Sequence, residues 1–153
     1  MKIMDILVKD AVIVELESQA KEDILAEMVA SLAKAKPDLD PEKLLGVLVD
    51  REKLQSTGIG EGVAIPHGKM TGLDGLVASF GRSTAGVDFD SIDGKPTQLF
   101  FLLVVPEHSG GQHLKALARI SRFFRDAVFR ERLMLAEETD DILRAIEEED
   151  GKF

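Results

Sequence analysis

The run Leu99-Phe-Phe-Leu-Leu-Val-Val105 constrains the fold of this chain more than any other stretch. Seven successive apolar residues leave a strand with no polar face, so both sides must be covered by other elements. The run is far too short for the roughly 20 residues of a membrane-crossing helix. Pro106 stops it, and Asp93-Gly94 upstream is a strong turn signal. A central strand buried on both faces predicts a sheet packed between helices.

The rest of the chain supplies both element types. From Ser18, the residues Ala20, Ile24, Leu25, Met28, Val29 and Leu32 recur at helical spacing, until Lys36-Pro37 ends the pattern. Asp40-Pro41 reads as an N-cap followed by proline at the first helical position, opening a helix through Leu44, Leu45 and Leu48 to about Leu54. After Pro106 a helix carries Leu114, Leu117, Ile120, Ser121 and Phe124 on one face. Two more follow, one from Asp126 through Phe129 and Leu133, one from Thr139 through Ile142, Leu143 and Ile146. Val12–Leu16 and residues 75–83 read as strands, and residues 84–98 as turns and loop. The expectation is an α/β fold, a mixed β-sheet flanked by helices, in a single domain over residues 1–153. The short spacers do not suit a strictly repeating βαβ barrel.

Composition narrows the function. A net charge of −9 argues against nucleic acid, whose phosphates need a basic footprint. It favours a partner with a positive patch. The absence of cysteine removes disulfides, thiolate metal sites and cysteine nucleophiles. Asp5, Lys9 and Asp10 interrupt any signal-peptide core, so the chain is expected in the cytoplasm, with no membrane insertion.

Of three histidines, one sits in Gly62-Val-Ala-Ile-Pro-His-Gly-Lys69, between a proline and a glycine. Either His67 fills a turn, or the chain holds an imidazole out for chemistry. A neutral imidazole, with an unperturbed pKa of about 6.5, is a good nucleophile near neutral pH. To accept a phosphoryl group it must expose one ring nitrogen while the other is held by a fixed acceptor. Proline stiffens the approach, and glycine admits a phosphate or partner close to the backbone. Phosphoryl transfer needs mainly positioning and charge stabilisation. Arg51, Ser56, Thr57, Lys69 and His113 are the candidate cation and polar donors. Gly58-Ile-Gly-Glu-Gly62 is a weak nucleotide-binding signal, since no helix opens after it. Histidines 67, 108 and 113 lack metal-ligand spacing, and His108 reads as a solvated loop residue.

Arg51–Lys69, "REKLQSTGIGEGVAIPHGK", resembles the signature of the fructose/mannitol-type (type 2) IIA proteins of the bacterial phosphotransferase system. Within that family it is most similar to the stand-alone nitrogen-regulatory type. The pattern asks for an acidic or amide residue, then an aliphatic-small pair, then aliphatic-Ala-aliphatic-Pro-His-small. Glu52, Ile59-Gly60 and Val63–Gly68 meet it at nine positions with the required spacing. "SIDGKPTQLFFLLVVP" and "QHLKALARIS" extend the likeness, which covers roughly residues 5–148.

The resemblance implies the IIA mannitol/nitrogen-type phosphotransferase fold and a phosphotransferase component. His67 matches the phosphoryl acceptor, loaded by an HPr-like phosphocarrier. Arg51 matches the arginine that contacts the phosphoryl group, and His113 the second histidine, which stabilises transfer. No cofactor and no metal are implied. Two downstream routes stay open. A nitrogen-type regulator binds target proteins according to its phosphorylation state, whereas a sugar-uptake IIA passes the group to a IIB component. The stand-alone length, without a fused IIB or IIC segment, leans towards regulation. A small hydrolase using His67 and His113 as acid and base lacks a paired nucleophile.

Overall fold

The computed structural model describes residues 1–153. In chain order it contains helices α1 (Lys21–Ala35), α2 (Pro41–Leu54), α3 (Gln112–Arg125), α4 (Ala127–Leu135) and α5 (Thr139–Asp150). Its strands are β1 (Gly58–Gly60), β2 (Val63–Ala64), β3 (His67–Met70), β4 (Val77–Val87) and β5 (Thr97–Pro106). The apolar run lies in β5, the centre of the sheet, as its two covered faces require.

Strand β4 runs antiparallel along one side of β5, with Phe80 opposite Phe101. The other side is shared end to end: β2 lies parallel to Leu99–Phe100, and β3 parallel to Leu103–Pro106. Strand β1 then pairs antiparallel with β2. Because successive side chains alternate faces, β5 feeds two cores. Leu99, Phe101, Leu103 and Val105 join Ile120, Phe124, Phe129 and Ile146 on the α3–α5 side. Phe100, Leu102 and Val104 join Leu25, Met28, Leu44 and Leu48 on the α1–α2 side. Each fully buried residue of this size contributes about 1.5–3 kcal/mol, so the two faces hold the sheet from both sides.

Local signals set the helix ends. The Asp40 carboxylate accepts from the Glu42 and Lys43 amides at 3.1 and 3.3 Å, with Pro41 at the first helical position. Asp126 caps α4 through the Val128 and Phe129 amides at 3.0 and 3.3 Å. At the other end of α4, buried Arg82 of β4 donates to the carbonyls of Leu133, Met134 and Ala136. A guanidinium there answers both the unpaired carbonyls and the negative end of the helix dipole.

Three expectations are corrected. Val12–Leu16 is not a strand of the sheet. The chain before α1 follows the outer edge of β4 only through isolated bridges, Leu7 to Ala78 and Ile13 to Gly81, with a 3₁₀ turn over Lys9–Ala11 between them. The first helix begins at Lys21, three residues after Ser18. Residues 84–87, read as loop, belong to β4. The register shifts between Arg82 and Val87, with Gly86 at φ +83°. A bulge of this kind breaks the alternation by which a strand is read.

The ends of the chain meet. The Asp150 carboxylate accepts from the amides of Ile3 and Met4, both at 2.9 Å, and pairs with Arg119 at 3.0 Å.

Candidate functional site

Pro66 lacks an N–H and cannot continue a ladder as a donor, but its carbonyl still accepts from the Leu103 amide at 2.9 Å. The strand therefore resumes at once. His67 is the first residue of β3, opposite Leu103, and half-buried, not free on a loop as its flanking residues suggested. Alternation sends its side chain to the α3 side of the sheet and leaves Gly68 facing α2. A Cβ at position 68 would stand 2.4 Å from Val47 Cγ1, so only glycine lets α2 pack this closely.

The imidazole is oriented by the backbone. Its Nδ1 lies 2.8 Å from the carbonyl oxygen of Ile65. A carbonyl can only accept, so Nδ1 carries the proton and Nε2 is left with the lone pair. Burial holds the His67 pKa below its ordinary value. The nearby charges of Arg51 and His113 act in the same direction, opposed by the Ile65 carbonyl and the Glu52 carboxylate. The product is a neutral imidazole with a single free nitrogen at neutral pH.

Arg51, Ser56, Thr57, Ile59, His67 and Ser121 line one open cavity of about 340 Å³. Arg51 sits in the last turn of α2 and donates through one terminal nitrogen to the Gln55 carbonyl at 2.7 Å. That bond leaves most of its fork available to oxygens in the cavity. His113 is in the first turn of α3, its Nδ1 3.1 Å from Ser109 Oγ. It does not line this cavity.

The remaining candidates divide differently. Ser56 Oγ donates to the Phe89 carbonyl at 2.7 Å and accepts from the Gly58 amide at 3.0 Å. Thr57 Oγ1 donates to Glu52. Both hydroxyls offered as phosphoryl donors are instead engaged in the structure of their own loop. Lys69 is exposed on β3 and does not line the cavity, and His108 is exposed on the loop after β5. Arg125 and Arg130 escaped the sequence reading. They line an adjoining cavity of about 480 Å³ that shares Ile59 and Ser121 with the first. Their distance along the chain from His67 left no spacing to read. No group of three or more histidine, aspartate and glutamate side chains is arranged to hold a metal ion. No helix is long and apolar enough to cross a membrane.

The architecture belongs to a known class. The crystal structure of the nitrogen regulatory protein IIA-Ntr from Neisseria meningitidis superposes with a TM-score of 0.86 at 34% identity, covering 93% of this chain and 97% of that one. The class is that of phosphotransferase-system IIA components. Residues 5–149 match the model of the EIIA 2 family of the phosphoenolpyruvate-dependent sugar phosphotransferase system, and the chain belongs to that family. It is 42% identical over 126 residues to a nitrogen regulatory protein of Bradyrhizobium diazoefficiens, covering 82% of each. It is also 39% identical over 150 residues to a fructose-specific EIIABC component of Bacillus subtilis, covering 98% of this chain but 24% of that longer protein.

Proposed function

We propose that this chain is a phosphocarrier that accepts a phosphoryl group on Nε2 of His67 from an HPr-like carrier in the cytoplasm. The observation that carries the reading is the bond between His67 Nδ1 and the Ile65 carbonyl, which leaves one nucleophilic nitrogen. In the transfer, a P–N bond forms at Nε2 as the carrier's own bond to phosphorus breaks. The Nδ1 proton stays on the ring, shared with Ile65. The phosphoryl group itself carries roughly two negative charges. The ring, bonded to phosphorus at Nε2 and still protonated at Nδ1, carries a positive one, so the adduct gains about one negative charge net. Arg51 binds the equatorial oxygens through its fork, and His113 stabilises the charge during transfer. A single domain over residues 1–153 is sufficient for this chemistry.

The likeness to nitrogen regulatory proteins favours a regulatory role, in which the phosphoryl charge attracts or repels a target protein. The fructose-specific relative supports a second reading, transfer to a IIB component for sugar uptake. Incubation with phosphoenolpyruvate, the system's first enzyme and an HPr-type carrier should label His67, mapped by mass spectrometry under conditions that preserve acid-labile adducts. Added sugar and IIB/IIC membranes should leave the label in place. Label found elsewhere would remove the assignment, and onward transfer to sugar would favour uptake.

A further inference from the structure

Glu52 is a carboxylate with only 5% of its side chain exposed, a placement that costs free energy unless its oxygens are all engaged. They are. Oε1 receives Lys21 Nζ at 3.1 Å and the Thr57 amide at 3.0 Å, while Oε2 receives the Thr57 hydroxyl. Lys21 is itself held in place, at 3.4 Å from Asp90 and with its ammonium 4.8 Å from the centre of the Phe89 ring. The pair therefore ties the first residue of α1 and the last turn of α2 to the loop that follows α2.

That loop leads to the reactive ring. Thr57, gripped at both its amide and its hydroxyl by Glu52, accepts the Ile65 amide on its carbonyl at 3.0 Å. Ile65 in turn accepts His67 Nδ1 on its own carbonyl at 2.8 Å. The contacts run in series from an ammonium on the opposite face of the sheet to the imidazole. Thr57's amide and carbonyl belong to different peptide groups, as do Ile65's. The series therefore acts by placement and not by polarising one continuous chain of bonds. Buried ion pairs are often no better stabilisers than apolar contacts of equal volume, and in some proteins they fix register instead.

We propose that Lys21 and Glu52 are positioning residues for His67, setting the place of the Ile65 carbonyl, and with it the ring tautomer, through Thr57. The consequence for transfer rests on the reading of His67 as acceptor, whereas the effect on the ring does not. Lys21→Met alone would strand a buried carboxylate, so the decisive variant is Lys21→Met with Glu52→Gln, which removes both charges and keeps an amide acceptor for Thr57. Lys21→Arg is the conservative control. Two readouts apply: the His67 tautomer by ¹⁵N NMR of the imidazole, and kcat and KM for phosphoryl transfer from an HPr-type carrier.

Wild-type protein should hold the Nδ1-protonated tautomer, and the double variant should show both tautomers. Its kcat should fall about 10-fold or more, since small misplacements of a reacting group are costly. KM should be unchanged, and Lys21→Arg should restore both readouts. A folded double variant with wild-type tautomer and kcat would overturn the proposal, as would a rise in KM alone. If the double variant does not fold, Thr57→Val, which removes only the hydroxyl grip, is held to the same outcomes. A tautomer shift in a protein that takes no phosphoryl group would leave the positioning role standing and remove His67 as acceptor.

Discussion

The two histidines at the site are supported in opposite ways. His67 is the first residue of a strand in the middle of the molecule, and its ring is held by a backbone carbonyl. His113 lies in the first turn of a helix behind Gly110-Gly111, and its ring meets the hydroxyl of Ser109. A carbonyl can only accept, so one tautomer is imposed on His67. A hydroxyl can donate or accept, so either tautomer suits His113. A nucleophile needs one nitrogen kept permanently free, whereas a group that answers an arriving charge profits from being able to turn its proton outwards. The fold gives each ring the kind of partner its proposed task requires.

Removing either ring tests this contrast most severely. His67→Ala should abolish labelling while the circular dichroism spectrum and cooperative melting persist, because the half-buried ring contributes one hydrogen bond, worth about 1 kcal/mol net. Undiminished labelling would end the contrast. Arg51→Ala should slow transfer by about 10²–10³-fold, comparable to losing a transition-state donor in other enzymes. A wild-type rate would reduce Arg51 to a helix-end contact with Gln55. His113→Ala should cost about 10–10²-fold, below the range for a directly bonded donor because the ring stands outside the cavity. A loss equal to that of His67→Ala would mean that the two rings are equal partners.

Acid probes the imposed tautomer. The folded His67 pKa is held below its ordinary value, so acceptance should persist as pH falls through about 6.5, where a free imidazole protonates. The same shift has a stability counterpart. Above about pH 6.5 both folded and unfolded His67 are neutral; below it the unfolded state gains a proton that the folded state resists. The stability from this group is therefore lost progressively as pH falls through 6.5 towards the folded value. Denaturant titrations at pH 7.5 and 5.5 should show this component in wild type and its absence in His67→Gln. The smallest effect belongs to Ser109→Ala, about 2–10-fold in rate for one net hydrogen bond. A larger effect would show that His113 is held as firmly as His67.

Much of this was legible in the residues. The apolar run of β5, the Asp40-Pro41 cap and the helical spacing of α3 to α5 are local patterns, and each element formed where its pattern lay. The motif around His67 falls on a single loop and strand for the same reason, since its residues are neighbours in sequence. What stayed hidden was non-local. That Ser56 and Thr57 spend their hydroxyls on Phe89 and Glu52 depends on partners chosen by folding. Lys21 stands 46 positions before His67, and no periodicity relates an ammonium on one helix to a carbonyl beneath a ring. The requirement for glycine at 68 was read as room for an incoming group. It is met instead on the other face of the strand, where Val47 leaves no space for a Cβ.

The clasp of Asp150 on the amides of Ile3 and Met4 brings the two termini side by side. Topologically the polypeptide is nearly a ring, so a short linker could join its ends and the chain be reopened at the Thr71–Gly75 turn, which is mostly exposed. Such a circular permutant would keep Lys21, Glu52, Thr57, Ile65 and His67 on one uninterrupted stretch of chain, while the pairing of β3 with β5 would have to form across the new opening.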